Sequence, residues 1–413
     1  MEATQPWVIL RRVLVRKDPE AKQAGHPPAI STALRSPPRV TNLAVAVGPN
    51  AHPGRPVRFY EVPYLVATGP SALLYCFYFD VIPLVTDELL LARRFVAPAD
   101  AKRQPTTGSA DRVPRRTGSS SMPVTYNIRN VGLIPGLSGG YVIAELQVTK
   151  RSNRAKLFRL MSGDDRRSEA GRLFEGDRQR WYETELHCPL PTMEREWAPQ
   201  GVVSLANKLW WFDLSWGLLS CDPNDIVHPV LSYHKLPPGC VFLEPMAFIH
   251  YIRCICVSEN MLRYVEMVRG SFRDGMFVGE QKVVMWTLVP VPSGDGDIEW
   301  KWHKSYEMDF KDIWDDAIYK AAGLPALVPQ IVLVSPRNHN VVYFFRDNRL
   351  FGIDVPSHRL VHVLEDCYKL EAPVHSLSVF PWDLPSWIAN GLVEDMTTIP
   401  EQGGSASTSQ GAT

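Results

Sequence analysis

Apolar residues along this chain come in short runs separated by small and polar residues. Runs of this length, rich in β-branched and aromatic side chains, read as strands. They fall into five groups along the sequence. The first covers 40–47, 60–67, 72–79 and 88–96; the second 141–150, 156–162 and 179–186. The third covers 201–205, 208–214, 217–222 and 230–235. The fourth covers 252–258, 261–269, 282–289 and 299–308, and the fifth 330–335, 341–346, 349–355 and 358–365. Ala206-Asn207, Glu259-Asn260 and Asp347-Asn348 join consecutive strands and suit tight hairpin turns.

Strand alternation would put Trp210 and Phe212 on one face and Trp211 on the other, so both faces need cover. A sheet with one wet face should instead alternate cleanly between apolar and polar. Hairpin-connected sheets covered on both faces are what stacked propeller blades provide. The pattern predicts an all-β, β-propeller-like domain of five to six antiparallel blades over 40–382. One helical period interrupts it. Phe310, Ile313, Trp314, Ala317, Ile318 and Ala321 predict an amphipathic helix over 309–322, capped by Asp309 and stopped by Gly323 and Pro325. A second short helix is expected near Pro385, around Trp387 and Ile388.

Three stretches are too polar or proline-rich to offset ordering entropy by burial: 17–39, 97–123 and 401–413. The expectation is therefore an N-terminal strand and proline-rich loop over 1–39, a disordered insertion at about 97–123, and a short helix with a disordered tail over 383–413. The 35 prolines in 413 residues favour strands and turns over long helices. Lys+Arg and Asp+Glu balance at 44 each, which argues against general binding to nucleic acid or anionic membrane. No apolar run approaches the roughly 18 residues of a membrane span. Seven cysteines without an export signal point to reduced thiols in a cytoplasmic or nuclear protein.

Particular residues carry a family resemblance. Tyr141 to Leu146 (YVIAEL) leads the series. Trp211-Phe212-Asp213-Leu214 with Gly217 to Asp222 (GLLSCD) follows, then Val257 to Val265 (VSENMLRYV). Trp286-Thr287-Leu288, Trp300-Lys301-Trp302, Val341 to Phe344 and Ile353-Asp354 close it. This series resembles the plant domain-of-unknown-function family 1618, abundant in grasses, over roughly 7–381. A looser similarity is to plant F-box-associated β-propeller domains, although no leucine-rich helical F-box precedes the strands. The resemblance implies a propeller-like fold, no known activity and no catalytic residue. It marks Trp211, Asp213, Gly217, Cys221, Asp222, Trp286, Trp302, Tyr343 and Asp354 as structural signature positions.

Candidate chemistry is sparse. Gly136-Leu137-Ser138-Gly139-Gly140 matches G-x-S-x-G by letters, but a strand rather than a helix follows, so a loop is expected. His228, His234, Cys240, His250, Cys254 and Cys256 are possible metal ligands, yet C-x2-C spacing is absent. Asp295 and Asp297, and the pairs Asp164-Asp165 and Asp315-Asp316, read as solvated turn or helix charges. The arginine-rich window 150–180 also holds Asp and Glu, which dilute any field that would attract nucleic acid. Thr117, Ser119 and Ser120 beside Arg115 and Arg116 are candidate phosphorylation sites, whose phosphates the arginines would pair.

No catalytic, metal or cofactor residue is expected. The sequence points to a monomeric, non-catalytic scaffold that holds a protein or peptide partner on its loops. The alternatives are a hydrolase with its site in the central channel, and, by analogy with F-box-associated domains, a substrate receptor for ubiquitin ligation. An enzyme should converge titratable groups on a pocket, whereas a scaffold should expose an apolar or aromatic patch.

Overall fold

The computed structural model of the chain describes residues 6–17, 29–46, 61–79, 88–116, 125, 127–136, 140–162, 181–192, 194–242, 244, 246–268, 271–273, 276–278, 280–292, 298–363 and 376–393. These form a five-blade propeller arrangement with few and short helices.

Tight turns make the blades. Ala206 and Asn207 have φ of 50° and 59°, Glu259 and Asn260 51° and 56°, and Asp347 and Asn348 48° and 63°. Two consecutive left-handed residues match the twist of the strands they join, so each pair closes a hairpin. Four blades are antiparallel meanders of four strands. Blade 2 runs Val131–Pro135, Tyr141–Val148, Arg154–Ser162 and Trp181–His187; blade 3 runs Gly201–Leu205, Lys208–Asp213, Gly217–Cys221 and Ser232–Lys235. Blade 4 runs Arg253–Ser258, Met261–Val268, Lys282–Pro292 and Ile298–Asp309; blade 5 runs Gln330–Ser335, Asn338–Arg346, Arg349–Asp354 and Arg359–Val363.

Blade 1 is larger. Glu61–Thr68, Leu73–Phe79, Leu89–Val96 and Thr106–Arg112 continue into Ile30–Thr32, Leu43–Ala46 and Val15–Lys17, giving seven strands. The sheet curls until its ends meet. Leu14 donates its backbone N–H to the Pro63 carbonyl at 3.0 Å, and Leu65 to that of Arg12 at 2.7 Å.

A three-stranded sheet closes the ring between blades 5 and 1. Trp7–Arg11 pairs antiparallel with Val379–Asp383 and parallel with Val40–Thr41. Alternation then decides what each residue packs on. Ile9 joins Val332, Leu333 and Tyr343 of blade 5, whereas Val8 and Leu10 join Leu65 and Tyr75 of blade 1. The Trp382 indole donates to the Gly69 carbonyl at 2.9 Å across the same seam.

Each seam between neighbouring sheets has its own apolar core. Trp211 packs with Leu157, Leu209 and Leu219 toward blade 2, and Trp210 with Phe212, Ile255 and Tyr264 toward blade 4. Both indoles are 0% exposed. Covering one indole contributes at most about 4–6 kcal/mol, from ~25 cal/mol per Å² over ~150–250 Å².

Three expectations are corrected. Residues 1–39 are not outside the propeller, because Trp7–Arg11, Val15–Lys17 and Ile30–Thr32 are all strands of its sheets. Within the expected disordered insertion 97–123, Thr106–Arg112 is a strand. A Cβ on Gly108 would sit 2.9 Å from the Phe95 ring, so this strand needs small residues where the sequence showed only polarity. The helix expected over 309–322 is two turns, Phe310–Asp315 and Ala317–Ala321, broken at Asp316 with ψ 134°. The Asp316 carboxylate accepts from the Tyr319 N–H at 2.8 Å and starts the second turn, while Asp309 makes no side-chain cap bond. The short helix near Pro385 is present as Ser386–Ala389.

Candidate functional site

The innermost strands of the six sheets read EVPYLVAT, VGLIP, GVVSL, RCICVS, QIVLVS and VFPWD. Their carboxylates and guanidinium lie at strand ends: Glu61, Arg253 and Asp383. Val62 to Thr68 and the strands 131–135, 253–258 and 330–335 are mostly buried. Their buried apolar residues pack into the seams between neighbouring sheets. Gly132 shows how tightly, since a Cβ there would lie 2.7 Å from Leu209.

Within each meander the chain moves outward, then crosses one face of the ring to the next innermost strand. The crossing loops collect on that face. Three of them reach over the axis. Ser376, just before Val379–Asp383, donates its hydroxyl to the His250 carbonyl at 2.7 Å and to the Arg253 carbonyl at 3.3 Å. His250 precedes blade 4, and blade 5 lies between it and the closing sheet. Arg129, just before blade 2, stands close enough to disfavour charge on His250, although blade 3 intervenes in the ring. Burial is the larger of the two causes that lower the His250 pKa. Loops from alternate positions thus meet at one axial mouth.

Local chemistry sets each of these groups. The Asn127 carboxamide oxygen accepts from the Arg129 N–H at 2.9 Å, which fixes the turn Ile128–Asn130. The Asn130 carbonyl in turn accepts from the Trp211 indole at 2.8 Å. On the blade 3 to 4 crossing, Ile249–Tyr251 forms a turn whose buried residue is Ile249. Phe248 before it has φ 60° and is 69% exposed. Its ring stacks on Tyr251 at 5.8 Å and 20°, and the His250 and Tyr251 rings lie 4.5 Å apart. Val241 and Met246 on the same loop are 42% and 49% exposed. By sequence pattern 236–251 falls between two strand groups. Its available signal was an apolar run, CVFLEPMAF, directly after Pro237-Pro238-Gly239.

The signature residues lie elsewhere and are bound into the framework. Asp213, 0% exposed, accepts from the Ser215 N–H at 2.9 Å, the Ser215 hydroxyl at 2.6 Å and the Ala198 N–H at 3.2 Å. Arg195 approaches it at 3.5 Å, lies over the Trp216 ring and donates to the Phe242 carbonyl. A Cβ on Gly217 would meet the Tyr233 ring at 2.6 Å. Asp222 and Asp354 cap turns by accepting from the Asn224 and Ser357 N–H groups. Tyr343 meets His362 at 3.2 Å, and Cys221 is buried in the seam with blade 2. Trp302 donates to the Lys235 carbonyl at 2.7 Å, and Lys304 lies over Trp286.

The possible metal ligands do not converge, and no group of three or more His, Cys, Asp or Glu able to hold a metal occurs among the described residues. Cys240 donates to the Glu266 carboxylate at 3.1 Å, and burial first, then Glu266, pushes its thiol up to about 12. Cys254 is raised by its hydrogen bond with Cys256 and by burial, in the seam with blade 5. His234 meets the Ser220 hydroxyl at 2.9 Å. A serine and a histidine so placed could act as nucleophile and base, but Ser220 is 1% exposed, and burial, then Lys208, pushes His234 down to about 4. Arg116, offered to a phosphate in the sequence reading, instead pairs with buried Glu145 at 2.8 Å over the Phe158 ring. Thr117, Ser119, Ser120, Ser138, Asp164, Asp165, Asp295 and Asp297 lie outside the described residues.

Residues 211–343, from the second strand of blade 3 to the second strand of blade 5, match the family described as Protein of unknown function (DUF1618). No curated protein matches the chain. Among solved structures, similarity is found to an alpha-L-arabinanase of Penicillium chrysogenum complexed with arabinobiose. It has 11% identity, covers 68% of this chain and 74% of that one, and gives a TM-score of 0.31. PorZ, a surface component of the type-IX secretion system of Porphyromonas gingivalis, gives 14% identity over 77% of this chain and 40% of its own, with a TM-score of 0.16. Likeness at this level carries no argument about function.

Proposed function

We propose that this protein is a non-catalytic β-propeller scaffold that holds a protein partner on the face where its crossing loops lie. The observation that carries this reading is the exposed apolar loop Val241, Met246 and Phe248. A left-handed Phe costs about 1–2 kcal/mol relative to ordinary backbone, and such strain collects where a ligand is met. Aromatic and Met side chains are enriched at interfaces, and a rigid exposed ring loses little entropy on binding. The innermost strands, whose charged residues lie only at strand ends, and the buried Ser220–His234 pair weigh against the hydrolase alternative. The six described cysteines are free and buried, which supports a reducing compartment such as cytosol or nucleus.

The test is site-specific photo-cross-linking of the full chain. A photoreactive phenylalanine replaces Phe248, and in a control it replaces Ile298, which is 67% exposed on the loop side away from the crossings. One protein captured at 248 but not at 298, and lost on Met246→Ser, supports the reading. Identical captures at both positions would overturn it.

A further inference from the structure

Among the described residues four arginines are buried: Arg12, Arg159, Arg253 and Arg263. Three of them are compensated. Arg253 binds the Glu266 carboxylate and the Leu214 and Cys240 carbonyls at 3.0 and 2.6 Å. Arg263 binds the Thr287 hydroxyl and lies 3.4 Å from the Glu259 carboxylate. Arg159 donates to the Asp225 carbonyl at 2.6 Å and the Thr184 hydroxyl at 2.8 Å.

Arg12 differs. It is 6% exposed, and its side chain makes one hydrogen bond, from Nη1 to the Tyr64 hydroxyl at 3.2 Å. Its Nε is buried without a partner, and no carboxylate among the described residues pairs with it. The guanidinium carbon lies 4.0 Å from the centre of the Phe380 ring and 5.7 Å from that of Tyr64. Such rings stabilise a desolvated cation by less than the burial of an unpaired charge costs.

Its position is fixed by backbone. The Arg12 N–H donates to the Ser378 carbonyl at 2.9 Å, and the Leu65 N–H donates to the Arg12 carbonyl. Arg12 therefore stands between the entry end of Val379–Asp383 and the middle of the innermost strand of blade 1, Glu61–Thr68. Ser378, which accepts from the Arg12 N–H, lies two residues along the chain from Ser376, which bonds the His250 carbonyl on the crossing-loop face. Arg129, on the same face, is half-buried, has a buried unpartnered Nε, and likewise meets no carboxylate among the described residues.

We propose that Arg12 and Arg129 at the axial mouth receive the carboxylates of an acidic segment of the protein partner, whose apolar residues cover Phe248. The inference rests on the scaffold reading and adds the chemistry of the partner. Two guanidinium groups lacking carboxylates match an acidic chain by charge, and the adjacent Phe248–Tyr251 stack matches apolar side chains within it.

The experiment measures binding and thermal unfolding of the full chain with N-acetyl-hexaglutamate amide, N-acetyl-hexaglutamine amide and sodium phosphate at matched ionic strength. Hexaglutamate is expected to bind and raise Tm where hexaglutamine does not, and its affinity is expected to fall by about tenfold or more in Arg129→Gln and in Arg12→Met. Without peptide, Arg12→Met is expected to leave Tm unchanged or raised, whereas Arg253→Met lowers it. Equal effects of the two peptides, or equal binding by wild type and both arginine variants, would overturn the proposal. A response to phosphate alone would overturn the acidic-peptide partner in favour of a free oxyanion. A partner cross-linked through position 248 that binds Arg12→Met and Arg129→Gln undiminished would sink this inference and leave the scaffold reading standing.

Discussion

Asp213 decides whether the signature positions are framework or site. Its carboxylate is fully buried and holds two N–H groups, one hydroxyl and the Arg195 guanidinium, whose side chain is 8% exposed. Asp213→Ala leaves that guanidinium unpaired and orphans the Ser215 and Ala198 donors. Arg195 keeps the Phe242 and Ser215 carbonyls, so it is not wholly abandoned. Breaking a buried pair in this way costs about 3–5 kcal/mol. Asp213→Asn keeps an acceptor for Ser215 and loses the charge, for about 1–3 kcal/mol. Urea unfolding followed by far-ultraviolet circular dichroism gives these values. Near-ultraviolet circular dichroism reports the Trp197–Trp216 pair, 6.0 Å apart beside Arg195. A double-mutant cycle with Arg195→Met separates the pair from the donors, with a coupling of about 1–3 kcal/mol expected. A cost below about 1 kcal/mol for Asp213→Ala, or no coupling to Arg195, would refute the framework role and make Asp213 a ligand-binding candidate.

Three further outcomes are expected. His234 is depressed to about 4 by burial and Lys208, so its neutral form stabilises the fold fully above the unfolded value near 6.5 and the benefit is lost as pH falls through that window. About 2 kcal/mol should be gone by pH 5, and His234→Gln should flatten the stability curve between about pH 7.5 and 5; an unchanged slope would contradict this. The buried free cysteines, with Cys221 and Cys240 pushed up to about 12, should resist Ellman's reagent in native protein. All should react in denaturant; fast native labelling of Cys240, located by peptide mapping, would be inconsistent with its burial. Phe248→Gly should leave stability unchanged or raise it by about 1 kcal/mol, because glycine adopts φ near 60° freely and the ring is exposed. A loss above about 2 kcal/mol on urea unfolding would show that the ring packs the fold rather than awaiting a partner.

What was legible in the sequence is what local chemistry controls. Asn207, Asn260 and Asn348 tolerate left-handed backbone, so the hairpins could be placed from neighbouring residues alone. Trp210 and Trp211 had to face opposite ways, which required cover on both sides of one sheet and pointed to stacked blades. Thr106–Arg112 escaped because its fitness is tertiary, since Gly108 is required by Phe95 and Ile30, and no local pattern records them. The helical period at 310–321 was real, but period says nothing about Asp316, whose side chain found a better use capping Tyr319 than continuing one helix.

The axial mouth is the extreme case of the same rule. Arg129, His250 and Ser376 are each a single polar residue in its own loop, and each loop enters the ring two positions after the last. A window sliding along the chain sees one ordinary residue at a time and never two together. Propeller closure alone brings them into one place, and it brings Arg12 there from the opposite end of the chain by setting Trp7–Arg11 against Val379–Asp383. The charge balance misleads for the same reason. A chain with 44 acidic and 44 basic groups can still place two guanidinium groups where no carboxylate among the described residues pairs with them, because pairing is decided by the fold and not by the count. Net neutrality bears on long-range attraction to nucleic acid or membrane, and not on the short acidic segment proposed at the mouth.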